Sequence, residues 1–332
     1  VMLENEQHIL YVFPGQGSQY AGMGSDLHEE FDVARKVYAE AGEVLGYDIA
    51  ELSFTDPEDK LNLTRFTQPA LLTHSVACLE VFRELTGDRL KPAITAGHSL
   101  GEYTALVAAK VLSFEGALRL VQKRGELMGT HGEGEMTAFP LALDVIKPIA
   151  EKFNCAVAGC NLPEQTVVGG RSEDLEKVEQ EVKDNFRRKR PVRLKTEGAF
   201  HTFYMDKAAE LFRPVLEEAS FGSAEARVLS NYTGGFHEDD AEKIREGLYY
   251  QLFNPVMWHA NLLTAFGAGV KMIFEFGGGI GPAETPDGKR PNLEGMIKKA
   301  SMAAEYEAQY RAAIKLQSVT ETAEFVNNPD AG

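Results

Sequence analysis

Short runs that are apolar at every position alternate along this chain with longer stretches in which apolar residues recur every three or four positions. Ile9-Leu10-Tyr11-Val12-Phe13 runs into Gly15-Gln16-Gly17-Ser18-Gln19-Tyr20-Ala21-Gly22-Met23-Gly24, the pattern of a strand buried on both faces and followed by a glycine-rich turn. Similar runs predict strands over 92–96, 227–231 and 270–276. Three-to-four spacing predicts helices over 31–45, 69–85, 114–128, 205–218 and 241–252. The alternation predicts a three-layer α/β body of the α/β-hydrolase-like kind around a parallel sheet.

The middle of the chain breaks this rhythm. There the order is strand 136–143, helix 145–153, strands 156–161 and 165–169, helix 173–186 and strand 191–195, which is the β-α-β-β-α-β order of a ferredoxin-like unit. Gly132 and Gly134 precede it and Gly198 follows it, all suited to hinges. The expectation is a small subdomain over 135–196, inserted into a large one over 1–134 and 197–316, with a cleft between them. A polar, acidic tail over 317–332 is expected to be poorly ordered.

Composition narrows the partners. The net charge of −16 argues against nucleic acid as the main partner. No run of about eighteen apolar residues could span a bilayer, and the opening residues are acidic and polar rather than a signal; the expectation is a cytoplasmic protein with no membrane partner. Cys78, Cys155 and Cys160 suit a reducing compartment, and the C-x4-C pair has no further ligand cluster, so no metal site is expected.

Gly97-His98-Ser99-Leu100-Gly101, placed between a predicted strand and a predicted helix, is the arrangement that turns a serine into a nucleophile. The sharp turn projects the hydroxyl, and amides at the helix start face a developing oxyanion. Ser99 needs a base, and of the eight histidines His201 is best placed, in Gly198-Ala199-Phe200-His201, where the small subdomain returns to the large one. His98 sits beside the nucleophile and is assigned a substrate-side hydrogen bond instead.

Phe13-Pro14-Gly15-Gln16-Gly17-Ser18-Gln19, Gly97-His98-Ser99-Leu100-Gly101-Glu102-Tyr103, Ala199-Phe200-His201 and Gln251-Leu252-Phe253-Asn254-Pro255-Val256-Met257-Trp258 resemble, in order, the motifs of malonyl-CoA:acyl carrier protein transacylases and polyketide synthase acyltransferase domains. The resemblance runs from about residue 9 to about residue 280. It implies a ping-pong acyl transfer in which Ser99 carries the acyl group and His201 is the base. It also implies an oxyanion hole from the backbone amides of Gln16 and Leu100, and orientation of His201 by backbone carbonyls at the turn from Gln251 to Asn254. Arg124 would grip the free carboxylate of a malonyl group, since a guanidinium offers a carboxylate two parallel donors. His98, Met128 and Phe200 would line the substrate site, with Leu100 and Phe200 favouring unbranched malonyl. Phe200 would act there as a steric plug beside the acyl α-carbon. No bound cofactor is implied; a coenzyme A thioester is the donor, and the phosphopantetheine thiol of an acyl carrier protein is the acceptor.

Three segments depart from the family pattern: Glu135 to Pro140, the glycine-rich Gly277 to Pro282 with the polar insertion after it, and Thr202-Phe203-Tyr204. They leave room for a substituted malonyl unit or one delivered on a carrier protein, and the rim insertion is read as a flexible loop. The rim insertion and the Gly198-Ala199-Phe200-His201 motif tilt the reading towards a discrete, trans-acting polyketide enzyme over a fatty acid one. Arg187-Arg188-Lys189-Arg190 is the one dense basic run. Arg187, Arg188 and Arg190 could steer an acidic carrier protein, or could simply be solvated cations at a helix C-terminus. Two other functions stay open: an acyl hydrolase that edits stalled carriers, and a non-catalytic carrier-docking subunit.

Overall fold

The computed structural model describes residues 8–328. Its strands are β1 (Ile9–Phe13), β2 (Ile94–Gly97), β3 (Glu135–Phe139), β4 (Ala156–Leu162), β5 (Gln165–Gly170), β6 (Val192–Leu194), β7 (Arg227–Val228), β8 (Met272–Phe276) and β9 (Gln309–Ala313). Five of them form a parallel sheet in the order β7-β2-β1-β8-β9. β1 is central and buried at all five positions, as its unbroken apolar run requires. The chain leaves β1 for β2 on one side and later adds β8 on the other. The direction of the connections therefore reverses between β1 and β8, so the carboxyl end of β1 forms one side of the topological switch point where an open α/β sheet presents its crevice.

Helices cover both faces. On one face Tyr11, Phe274 and Phe276 meet Phe82 of the Thr64–Thr86 helix, with ring centroids 5.3 to 6.4 Å apart, and Phe13 stacks on Phe276 at 5.8 Å. Each such ring contributes about 1.5–3 kcal/mol by burial. On the other face Leu10, Val12 and Ile273 pack against Trp258, Leu262 and Phe266, from the Trp258–Gly267 helix. The Thr64–Thr86 helix starts five residues before Pro69 and carries the proline inside it, near enough to the N-terminus to disturb few backbone bonds.

β3 to β6 form a separate antiparallel sheet in the order β4-β5-β3-β6, the ferredoxin-like order. Its two faces follow from period-two alternation. Phe139 and Val168 point towards Leu175, Val178 and Val182 of the covering Ser172–Asn185 helix, while Met136, Ala138 and Val167 line the cleft. The two sheets are tied together beyond the linkers. The Val256 amide donates to Ala158 O (3.0 Å), and Cys160 N donates to Val256 O (2.8 Å). At the linkers Ala199 N bonds Glu133 O (2.8 Å), and a Cβ on Gly132 would lie 2.4 Å from Met128 O.

Two expectations are corrected. The tail expected over 317–332 is instead a helix, Leu316–Asn327; residues 329–332 lie outside the described residues. Val319, Ala323 and Val326 form one buried stripe against the Thr64–Thr86 helix, so the segment folds by docking an apolar face despite its polar average. The rim after β8 is anchored rather than free. Gly278 N donates to His74 Nδ1 (2.8 Å) and Gly279 N to Ser18 O (2.8 Å). Ile280 and Arg290 exchange backbone bonds, and Lys315 Nζ donates to Lys289 O (3.0 Å). Among the described residues no helix is long and apolar enough to cross a membrane.

Candidate active site

The turn after β2 holds Ser99 at φ +54°, a left-handed conformation that costs a non-glycine residue on the order of 1 kcal/mol. Its flanking glycines are required by contact. A Cβ on Gly97 would sit 1.9 Å from the Gly101 backbone, and one on Gly101 would sit 2.1 Å from Phe13 O. The Gly101–Ala108 helix starts directly behind the serine. Asn231 Oδ1 accepts the Ser99 N–H (2.7 Å) while Asn231 Nδ2 donates to Gly97 O (2.8 Å), so one amide clasps both sides of the strained turn. That N–H is thus taken, and Leu100, which follows it, is the residue that caps the Gly101–Ala108 helix. Gly15 brings the β1 turn against the same place, where a Cβ would lie 2.3 Å from His98 O and 3.6 Å from Leu100 N. Gln16 follows, and its side chain donates to Thr64 Oγ1 (3.1 Å).

His201 also has a left-handed backbone, at φ +61°. Its Nε2 lies 2.7 Å from Ser99 Oγ and its Nδ1 2.7 Å from the Gln251 carbonyl oxygen. The carbonyl can only accept, so Nδ1 carries the proton and Nε2 is left to receive the serine proton. Burial first, and the Arg124 cation second, push this imidazole down to about 3. It is therefore neutral near pH 7, the state a base requires. Of the carbonyls expected at this turn, that of Gln251 meets Nδ1, and Asn254 makes no hydrogen bond to the ring among the described residues, its side chain donating to Tyr250 O (2.9 Å).

Arg124, from the Phe114–His131 helix, is fully buried. Its Nη1 donates to Gln68 Oε1 (2.8 Å), and its Nη2 to Gln251 Oε1 (2.9 Å) and to Ser99 Oγ (3.3 Å). Tyr103 lies under the guanidinium, 5.3 Å from ring centroid to the central carbon. All three hydrogen-bond acceptors are neutral, and Nε has no partner among the described residues. A buried cation is thus held beside the nucleophile by neutral oxygens. That arrangement favours the arrival of an anion.

These groups open on a cleft of about 830 Å³ lined also by Gln16, His98, Leu100, Met128 and Phe200. Its walls are β3 and β5 of the small sheet on one side and Asn292, Leu293 and Met296 on the other. A serine–histidine pair beside a buried arginine, at the carboxyl ends of adjacent strands of a parallel sheet, is a site for acyl chemistry on a carboxylated substrate.

Comparison with known proteins agrees with this site. Residues 10–272 match the family described as the acyl transferase domain. The chain belongs to the acyl transferase family. It is 37% identical over 303 residues to the malonyl CoA-acyl carrier protein transacylase of Bacillus subtilis, covering 88% of this chain and 90% of that protein. It is 40% identical over 228 residues to the polyketide biosynthesis malonyl CoA-acyl carrier protein transacylase PksC of the same organism, covering 67% and 77%. Among solved structures, a malonyl-transacylase in complex with a type II polyketide synthase acyl-carrier protein superposes with a TM-score of 0.85 at 34% identity, covering 96% of this chain and 99% of that one.

The acyl transferase site contains residues that sequence reasoning did not assign. Gln68 braces Arg124 and also donates to Met128 Sδ (3.3 Å). Asn161 of β4 meets His98, Nε2 to Oδ1 2.8 Å, so the small sheet fixes the residue next to the nucleophile. Burial holds the His98 imidazole below its usual range, the Asn161 bond pulling back. Asn231 and Glu102 are fully buried, and Glu102 was quoted only as part of a motif. None of these had a local signal, because each acquires its role through a partner 56 or more positions away. Arg187, Arg188 and Arg190 are exposed, and Arg190 lines a neighbouring recess of about 520 Å³ that shares Ala138 and Gln165 with the cleft. Among the described residues no group of three His, Cys, Asp or Glu side chains could hold a metal ion.

Proposed function

We propose that this acyl transferase moves a malonyl group from coenzyme A, through an ester on Ser99, to the phosphopantetheine thiol of an acyl carrier protein serving fatty acid or polyketide synthesis. The observation that carries the reading is the Ser99 hydroxyl, 2.7 Å from the neutral His201 and 3.3 Å from the buried Arg124. In malonyl one methylene separates the reacting carbonyl from the carboxylate, so a cation that grips the carboxylate must sit next to the nucleophile.

The steps follow from the geometry. Ser99 Oγ gives its proton to His201 Nε2 and bonds to the thioester carbon, while the Gln16 and Leu100 amides take up the charge on the carbonyl oxygen. Collapse breaks the carbon–sulfur bond, and the departing coenzyme A sulfur takes the proton from His201. The phosphopantetheine thiol then gives its proton to the same nitrogen and bonds to the ester carbon. Expulsion of Ser99 oxygen, reprotonated by His201, frees the malonyl carrier protein. Gln251 O, not a carboxylate, holds Nδ1 throughout. Arg124 holds the malonyl carboxylate through both halves, and Phe200, Met128 and His98 bound the acyl pocket. The chemistry needs no resident cofactor, and a cytoplasmic location belongs to the same reading.

The carrier is acidic in this reading and approaches the basic end of the small sheet. Arg193 is already engaged by Glu179 (2.8 Å) and Glu135, whereas Arg187, Arg188 and Arg190 face solvent. Intact-protein mass spectrometry after incubation with malonyl-CoA tests the reading: a malonyl adduct should form, disappear in Ser99→Ala, and discharge on adding holo carrier protein. Discharge to free malonate at the same rate without carrier would instead mark a hydrolase. Charge reversal at Arg187 and Arg188 should raise KM for the carrier but not for malonyl-CoA.

A further inference from the structure

Gln251 touches four parts of the machinery at once. Its backbone carbonyl holds His201 Nδ1 (2.7 Å), its Oε1 accepts from Arg124 Nη2 (2.9 Å), and its Nε2 donates to Ser99 O (3.0 Å) and to Glu102 Oε2 (2.9 Å). An amide can be turned end for end at almost no intrinsic cost. If this one turned, its NH₂ would face the guanidinium and its oxygen would face the Ser99 carbonyl, two repulsive contacts. Something must fix which end faces the cation.

Glu102 meets that need. It is fully buried and, as a carboxylate, can only accept hydrogen bonds. Oε2 takes the Gln251 amide and the Asn231 N–H (3.2 Å), while Oε1 lies 2.6 Å from His237 Nε2, whose side chain is 5% exposed. Every neighbour of Glu102 is obliged to present a donor. The Gln251 nitrogen must therefore point at Glu102, which leaves its oxygen pointing at Arg124. A buried acceptor with three donors also resists movement, because releasing any one would leave a polar group unpaired.

We propose that Glu102, braced from behind by His237, is a positioning residue. It sets the orientation of the Gln251 amide, and through it aims the Arg124 guanidinium at the acyl carboxylate. Glu102 touches neither substrate nor nucleophile side chain. The proposal rests on Arg124 being the carboxylate clamp, and it predicts an effect on the choice of donor rather than on acyl transfer in general.

The test compares malonyl-CoA with acetyl-CoA as donors to Ser99, measured as the ratio of their kcat/KM values by intact-protein mass spectrometry. Thermal unfolding reports the fold of each variant. Glu102→Ala should lower the malonyl-to-acetyl ratio about 10- to 100-fold, the effect of one lost charge-assisted hydrogen bond, mostly through KM for malonyl-CoA. Glu102→Gln should recover most of the lost ratio, since its oxygen can face Gln251 and its nitrogen the His237 ring. A folded Glu102→Ala that slows both donors equally, or leaves the ratio unchanged, overturns the proposal. If Glu102→Ala does not fold, Gln251→Leu decides: it keeps the backbone carbonyl under His201 but removes the amide. Loss of the ratio there supports the proposal and an unchanged ratio overturns it. Arg124→Ala, run in parallel, separates the two levels. An unchanged ratio in that variant overturns the clamp itself, whereas a lost ratio there with normal Glu102 and Gln251 variants overturns only the positioning role.

Discussion

The pH dependence of Ser99 acylation is the most direct consequence of how His201 is buried. Its imidazole is held down to about 3, from an ordinary 6.5, first by burial and second by the Arg124 charge, with the Gln251 carbonyl opposing both. That displacement corresponds to about 5 kcal/mol of preference for the neutral ring. Only neutral imidazole can take the serine proton, so the rate should be lost where His201 gains a proton, well below pH 6. The assay is single-turnover acetylation by acetyl-N-acetylcysteamine, a donor with no group that titrates between pH 4 and 8 on the ordinary scale. It is followed by intact mass from pH 8 downwards over times short enough to avoid acid unfolding. The rate should stay level to about pH 5. In Arg124→Ala the acid limb should move towards 6.5, because the cation that repels the imidazolium is gone and water can enter its place. A wild-type rate already halved near pH 6.5, or a limb that Arg124→Ala leaves in place, would refute the reasoning.

Three further outcomes follow from the same contacts. Phe200 lines the cleft beside the base and is 5% exposed; Phe200→Ala should raise the methylmalonyl-to-malonyl ratio of kcat/KM by about 10-fold or more, the value of one methyl group in a close pocket, and an unchanged ratio would remove it from the specificity wall. Asn231→Ala leaves the buried Ser99 N–H and Gly97 O without their partner, at about 1–3 kcal/mol each; the urea midpoint should fall accordingly with little change in slope. Acid stability should reveal Glu275, which burial pushes up to about 8 against donors from Leu293, Asn292 and Tyr310. His74 and His201, both held down to about 3 by burial, stay neutral in the fold while the unfolded chain takes up protons below 6.5, so from pH 7 to pH 5 each withdraws about 2 kcal/mol of stability. Glu275 works the other way, since the folded state binds its proton between about 8 and 4.5, and it returns about 2.5 kcal/mol over the same interval. Glu275→Gln should therefore steepen the loss of stability from pH 7 to pH 5 measured by urea unfolding; an unchanged slope would mean that Glu275 is ionised in the fold.

The parallel sheet and the inserted antiparallel one were legible because burial on two faces and burial on one face leave different periods in the sequence. β1 is a continuous apolar run and becomes the centre of its sheet; β9, Gln309-Tyr310-Arg311-Ala312-Ala313, is an edge strand with only Ala313 buried and carries no such run. The Leu316–Asn327 helix was hidden in the same way, since only one narrow stripe of an otherwise polar segment meets the core. In the site, the close backbone approach at Gly97 and Gly101 could be anticipated from the motif, because the glycines are needed for a contact within the motif and with the adjoining strand. Gln68, Asn161 and Asn231 could not. Amides carry no periodicity, and what each does depends on which acceptor the fold delivers to it.

Ser99 and His201 both have left-handed backbones, and each has a hydrogen-bond partner behind it in the site. Asn231 clasps the serine turn through Ser99 N and Gly97 O, and the Gln251 carbonyl receives the histidine. Asn231 and Gln251 both also donate to Glu102 Oε2. The Asn231 backbone and the Gln251 side chain thus meet at one buried carboxylate, whereas the serine turn is clasped by the Asn231 side chain and the histidine is held by the Gln251 backbone carbonyl, neither of which Glu102 touches. A free hydrogen bond at the serine turn would cost about as much as the strain it restrains, so the turn and the Asn231 side chain hold one arrangement together. On this view the Gly97–Gly101 turn is not a self-contained device. Its geometry belongs to the residues behind it, and a graft of the five-residue motif without the Asn231 side chain and the Gln251 carbonyl should give a serine that is exposed but poorly aimed.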